Sequence, residues 1–144
     1  PSQESFSGNW LPLYELKKHN SSLSDLDSVH YFPHHQSVVY HVLKGSFDAG
    51  VVKERVAKEF LPRGLRIVYT SQPIPGSPIV VSKHCPAAVA TALRDALLHI
   101  DVRKPDDRAI VSEWDQEFQY GFTSASDSEY NALRSILRSV GGKK

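Results

Sequence analysis

Apolar side chains return at helical spacing in some stretches of the chain and alternate or run together in others. Residues 8–19 read as a helix with Trp10, Leu13 and Tyr14 on one face. Pro12 falls in the second turn of that helix. It lacks the N–H that the Gly8 carbonyl would accept, so a loosened start is expected. Val29-His30-Tyr31-Phe32 reads as a short strand that Pro33 breaks. Residues 35–44 form a second helix, striped by Val38, Val39, Val42 and Leu43 and closed by Gly45. Phe47-Asp48-Ala49-Gly50-Val51-Val52 is a buried-strand candidate, Lys53 to Phe60 a third helix, and Leu65 to Tyr69 alternates as a half-buried strand does. The order β–α–β–α–β predicts an α/β fold with a mostly parallel sheet.

The texture then changes. Gln72-Pro73-Ile74-Pro75-Gly76-Ser77-Pro78 is extended backbone, a hinge or a linker. Ile79-Val80-Val81 reads as a strand. Pro86 opens a helix with Val89, Leu93, Leu97 and Ile100 on one face, and residues 105–114 suggest another. Residues 120–125 are irregular. Ser126-Asp127-Ser128-Glu129 has capping-box spacing before a last helix, with Tyr130, Leu133, Leu137 and Val140 inward and Gly141 at its end.

Composition narrows the function classes. The 144 residues are 40% hydrophobic and 23% charged, which is ordinary globular usage. A formal net charge of +1 with scattered basic residues gives no nucleic-acid footprint. The terminal Lys143-Lys144 pair reads as a flexible tail. Cys85 is the only cysteine, so no intramolecular disulfide forms. No stretch approaches the roughly 20 apolar residues of a membrane span. The chain starts at Pro1 with no signal peptide, which leaves the compartment of the parent protein open.

The densest chemistry lies at residues 5–8, Ser5-Phe6-Ser7-Gly8, at the mouth of the first helix. A helix start leaves about four N–H groups without internal partners, and they attract an oxyanion together with the positive end of the dipole. Ser5 and Ser7 can donate to such a ligand or cap the helix, and a plain Ser cap is the competing reading. His30, His34, His35 and His41 lie close in sequence, but His30 on a strand and His41 in a helix diverge and no Cys pair joins them, so no metal site and no cofactor is expected. Ser7 and His35 could be nucleophile and base, but no nucleophile-elbow pattern surrounds Ser7 and no acid partner is evident, so no enzyme is expected. Glu113, Asp115 and Glu117 around Trp114 read as a solvated turn.

The order of these segments resembles the periplasmic phosphate/phosphonate-binding proteins of ABC transporters, within the type II periplasmic binding folds. Four stretches carry the likeness: Ser5-Phe6-Ser7-Gly8 with Leu11-Pro12; His35 through Gly45 to Phe47-Asp48-Ala49-Gly50; Ile74-Pro75-Gly76-Ser77-Pro78-Ile79-Val80-Val81; and Gly121-Phe122 with Asp127-Ser128-Glu129-Tyr130. The resemblance implies that residues 1–75 form the second, ligand-binding lobe and residues 76–144 the C-terminal part returning to the first lobe. It places Pro1 at the entrance to the second lobe, with the first part of the first lobe lying before it. It implies that Ser5, Phe6, Ser7, Gly8, His35 and Ser77 surround a small oxyanion, with the imidazole drawn toward its charged form by the ligand.

Family members that take amine-bearing phosphonates place carboxylates near the ammonium. Here the matching positions hold Arg55, or its neighbour Glu54, and Ser77, which favours a ligand without an amine: phosphate, phosphite or a simple phosphonate. The implied partner is an ABC permease and the implied location periplasmic or extracytoplasmic. A ligand-sensing domain of a signalling protein and a ligand-less interaction domain are the alternatives. With the first lobe incomplete, the apolar faces Val89/Leu93/Leu97 and Leu133/Leu137/Val140 should be exposed and favour a homo-oligomer, and binding by this chain alone should be weak.

Overall fold

The structure, a computed structural model, describes residues 2–115 and 117–141. Pro1 and the Lys143-Lys144 pair lie outside the described residues. Six α-helices appear among them: α1 Leu11–Lys18, α2 His35–Leu43, α3 Glu54–Phe60, α4 Ala87–His99, α5 Pro105–Ser112 and α6 Asn131–Ser139. The chain divides into two compact units, one of residues 1–73 with 131–144 and one of residues 74–130.

In the first unit α2 packs against α3. Val39, Val56 and Phe60 form the core between them, and Leu43, Val52 and Leu65 close around it. Each such side chain removed from water contributes about 1.5–3 kcal/mol. Tyr40 meets the Phe60 ring edge-on at 5.4 Å and the Arg63 guanidinium lies 5.0 Å from its centroid. Gly50 permits the close approach of the following loop to α2: a Cβ there would collide with Val38 Cγ1 and lie 3.1 Å from Val42 Cγ2. Gly45 and Gly64 take positive φ at the ends of their helical segments, where a side chain would be strained. The α6 helix lies against α1, and Lys17 Nζ donates to the Ser139 carbonyl at 2.8 Å. Leu133, Leu137 and Val140 are therefore half-buried rather than exposed.

The second unit is held by short-range devices. Pro86 precedes α4 and Pro105 is the first residue of α5, positions where a missing N–H costs nothing. Between them Arg103 grips Asp101 through Nε at 2.7 Å and Nη2 at 2.8 Å, and this pairing holds the Asp101 carboxyl down at about 2. Asp107 accepts the Asp101 N–H at 2.9 Å. Val111 is fully buried, and Phe118, Phe122 and Trp114 gather their rings nearby in sequence. Val89 and Leu93 on α4 remain about half exposed, at 48% and 50%. Ser126 and Glu129 make the expected local cap, the Ser126 N–H donating to Glu129 Oε1 at 2.8 Å, but the turn it opens, Asp127–Tyr130, is 3₁₀ before α6 begins.

The expected type II α/β lobe with a mostly parallel sheet is not what forms: there is no strand among the described residues. The candidate strands 29–32, 47–52, 65–69 and 79–81 are irregular or extended backbone without a ladder. Their side chains lean on helices instead. Val52 and Leu65 pack on the α2–α3 core, and the Tyr69 hydroxyl donates to Glu15 of α1 at 2.8 Å. Residues 29–32 and 47–52 meet through rings, His30 on Phe47 at 5.2 Å and Phe32 on Phe47 at 5.8 Å. Val68 and Val80 are 79% and 80% exposed, which excludes the burial that a covered parallel sheet gives its strands.

Candidate functional site

Pro12 shapes the first half of the site. Its ring clashes with the carbonyl four residues back and it offers no N–H to it, so a regular α-turn cannot run through residues 8–12. The chain widens into a π-helical turn, Phe6–Trp10, whose Trp10 N–H reaches back to the Ser5 carbonyl at 3.3 Å. The loosened start read from the sequence takes this form. Ser5 is the N-cap, with its Oγ accepting the Gly8 N–H at 3.1 Å. Phe6, Ser7 and Gly8 are half-buried in the turn. The Ser7 hydroxyl bonds no described residue, so the fold leaves it uncommitted.

Asn9, buried at 7% exposure, fastens the turn to the segment before α2. Its Nδ2 donates to the Gln3 carbonyl at 2.6 Å and its Oδ1 accepts the Tyr31 hydroxyl at 2.8 Å. An open groove of about 430 Å³ runs beside this contact, lined by Ser2, Gln3, Glu4, Tyr31, Phe32 and Pro33. Neither Asn9 nor Tyr31 stands out in the sequence. Their pairing spans 22 positions, and neither residue type nor spacing announces it.

His35 is the first residue of α2. Its Nδ1 accepts the Lys53 backbone N–H at 3.2 Å, so the imidazole caps the start of α3. That bond fixes the tautomer: with Nδ1 an acceptor, the proton sits on Nε2. Burial pushes the ring down to about 4, helped by the positive charges of Lys53 and Arg55. His35 is thus a neutral donor at physiological pH, and an anion beside it would work against a ring already biased away from its charged form. Arg55 stands two residues beyond Lys53, half-buried, with Nη1 on Glu59 Oε1 at 3.0 Å.

Ser77 belongs to the other compact unit, where its hydroxyl donates to Glu117 Oε2 at 2.6 Å. The neighbouring Gly76 carbonyl accepts the Tyr130 hydroxyl at 3.1 Å, so the Pro-rich segment is tied down at two successive residues. Of the histidines near His35 in sequence, His41 stacks on Phe32 at 4.4 Å and His30 meets Phe47. No three His, Cys, Asp or Glu side chains gather to hold a metal ion among the described residues.

Comparison with known proteins places the chain among the periplasmic substrate-binding components of ABC transporters. Residues 1–130 match the family described as "ABC transporter, phosphonate, periplasmic substrate-binding protein", and the chain belongs to that family. No curated protein and no solved structure matches it. The family is one of substrate-binding transport proteins rather than an enzyme class, and membership implies an extracytoplasmic location. No helix among the described residues is long and apolar enough to cross a membrane.

Proposed function

We propose that this chain contributes the oxyanion-holding part of a substrate-binding protein, and that its ligand is a small phosphorus oxyanion without an amine: phosphate, phosphite or a simple phosphonate delivered to an ABC permease. Family membership over residues 1–130 carries this reading. The local chemistry supports it. The Ser7 hydroxyl and the N–H groups at the start of the Phe6–Trp10 turn suit phosphoryl oxygens. The His35 Nε2–H is a neutral donor whose partner nitrogen is already fixed. Ser5 holds the turn closed through Gly8, so its part is to shape the donor array as much as to donate. Each charge-assisted hydrogen bond to the ligand adds about 1.5–3 kcal/mol.

The test is thermal stabilisation of this chain by methylphosphonate and by inorganic phosphate at high concentration, since ligand bound to the native state alone raises the melting temperature by mass action. The expected result is a concentration-dependent rise that Ser7→Ala reduces and that sulfate at equal ionic strength does not reproduce in full. Stabilisation identical in Ser7→Ala and wild type removes Ser7 from the site and the reading with it.

A further inference from the structure

The buried contact between Asn9 and Tyr31 fixes more than the proximity of two segments. Gln3 offers Asn9 a carbonyl oxygen, which can only accept, so the amide nitrogen must face it, and it does so at 2.6 Å. The amide oxygen is thereby turned to Tyr31, and the phenol spends its one proton on it at 2.8 Å. Each donor and acceptor in this chain has a single possible sense. Two apolar side chains of the same shape would hold the segments together about as well. What the hydrogen bonds add is orientation.

The oriented element is the donor turn. Asn9 lies inside the Phe6–Trp10 turn, which Pro12 keeps off a regular α-helical path. The Asn9 and Trp10 N–H groups both fall on the Ser5 carbonyl, at 3.0 and 3.3 Å, so the backbone bonds of the turn share one acceptor. A side chain clamped at both ends then fixes the peptide planes on either side of it, those that carry the Ser7 and Gly8 groups included. Tyr31 supplies the outer end of the clamp from the segment leading into α2, four residues before His35. We propose that Asn9 and Tyr31 are positioning residues for the oxyanion: they hold the donors of the turn in the orientation the ligand needs, without touching it. The Tyr31 hydroxyl has no proton left for a ligand, so it acts through Asn9. This rests on the oxyanion reading of the turn and goes beyond it by naming what sets the donors in place.

Methylphosphonate is titrated into the wild type and four variants, following amide chemical shifts by NMR, which reads affinity on the folded population. Tyr31→Phe removes only the hydroxyl and is expected to bind about three- to tenfold weaker, the factor of one lost hydrogen bond. Asn9→Ala is expected to lose at least as much. The variant carrying both changes should bind no more weakly than Asn9→Ala, because Tyr31 has no route to the ligand of its own. Val111→Ala empties a fully buried position in the other compact unit and should bind as the wild type does, although it is less stable. Wild-type affinity in Tyr31→Phe, a matching loss in Val111→Ala, or full additivity of the Asn9 and Tyr31 changes overturns the proposal. Ser7→Ala, titrated alongside, separates the two levels. Weaker binding in Ser7→Ala with wild-type affinity in Tyr31→Phe sinks the positioning role alone, whereas binding that Ser7→Ala leaves untouched, or none by the wild type, sinks the oxyanion reading and this role with it.

Discussion

Replacing His35 by asparagine should flatten the acid limb of the stability curve. The folded ring is held down at about 4 by burial above all, with nearby positive charges, Lys53 and Arg55 among them, adding to it, against an ordinary value of 6.5. In the unfolded chain the imidazole takes its proton near 6.5. In the folded chain it does not until about 4. Between those values the unfolded state binds more protons, so stability falls as pH falls. The contribution is fully present above the unfolded value and is lost by the time the folded value is passed. A shift of this size corresponds to an upper bound of about 3 kcal/mol. The ring is only half-buried, so solvent screening reduces the expected loss to about 1–2 kcal/mol.

An asparagine side chain at this position would keep an acceptor oxygen for the Lys53 N–H and has no proton to take up, so His35→Asn separates titration from capping. Urea unfolding of both proteins at about pH 7 and about pH 5 reads the difference, since the midpoint scales with stability. Wild type should lose about 1 kcal/mol more than His35→Asn over that interval. In melting temperature that is about 3 °C for a chain of this size. Parallel decline of the two proteins would refute the assignment of a half-buried, neutral imidazole at the start of α2.

Other outcomes follow from the packing. Phe60→Ala empties the α2–α3 core beneath Tyr40 and Arg63 and should cost about 3–5 kcal/mol in chemical unfolding. Gly50→Ala forces a methyl onto Val38 and should cost about 1–3 kcal/mol, whereas Gly76→Ala, which meets nothing within 4 Å, should leave the melting temperature nearly unchanged. Asn9→Ala and Tyr31→Phe break the same buried contact, so each should cost about 1–2 kcal/mol and the double variant less than their sum.

The helices were legible because their signals are local. Glycines 45, 64 and 141 stand at positive φ just past helical segments, Pro86 and Pro105 mark two starts, and the valines of α2 mark its inward face. Pro12 announced the disturbed turn before α1, although not that it would widen into a π-turn. The expected sheet does not form because an apolar or alternating run reports extended backbone, while a ladder needs a second segment at about 4.8 Å. Residues 65–69 and 47–52 found helices to lean on and no such neighbour.

The candidate site was legible in the same uneven way. His35 could be placed at a helix start from its neighbours, but the Lys53 N–H that fixes its tautomer lies 18 residues on. Likewise the Glu117 that occupies Ser77 lies 40 residues away. Hydrogen bonds across such separations leave no periodicity to read.

If the turn before α1 and the imidazole opening α2 serve one phosphorus oxyanion, they must answer to it together. Methylphosphonate titrated into isotope-labelled chain reads this, with the amides of Ser7, Gly8 and Asn9 and the ring of His35 followed in the same spectra. Both sets are expected to shift along one binding curve, and both responses are expected to weaken in Ser7→Ala. Shifts confined to one of the two segments, or two curves with different midpoints, would show that no shared oxyanion site exists.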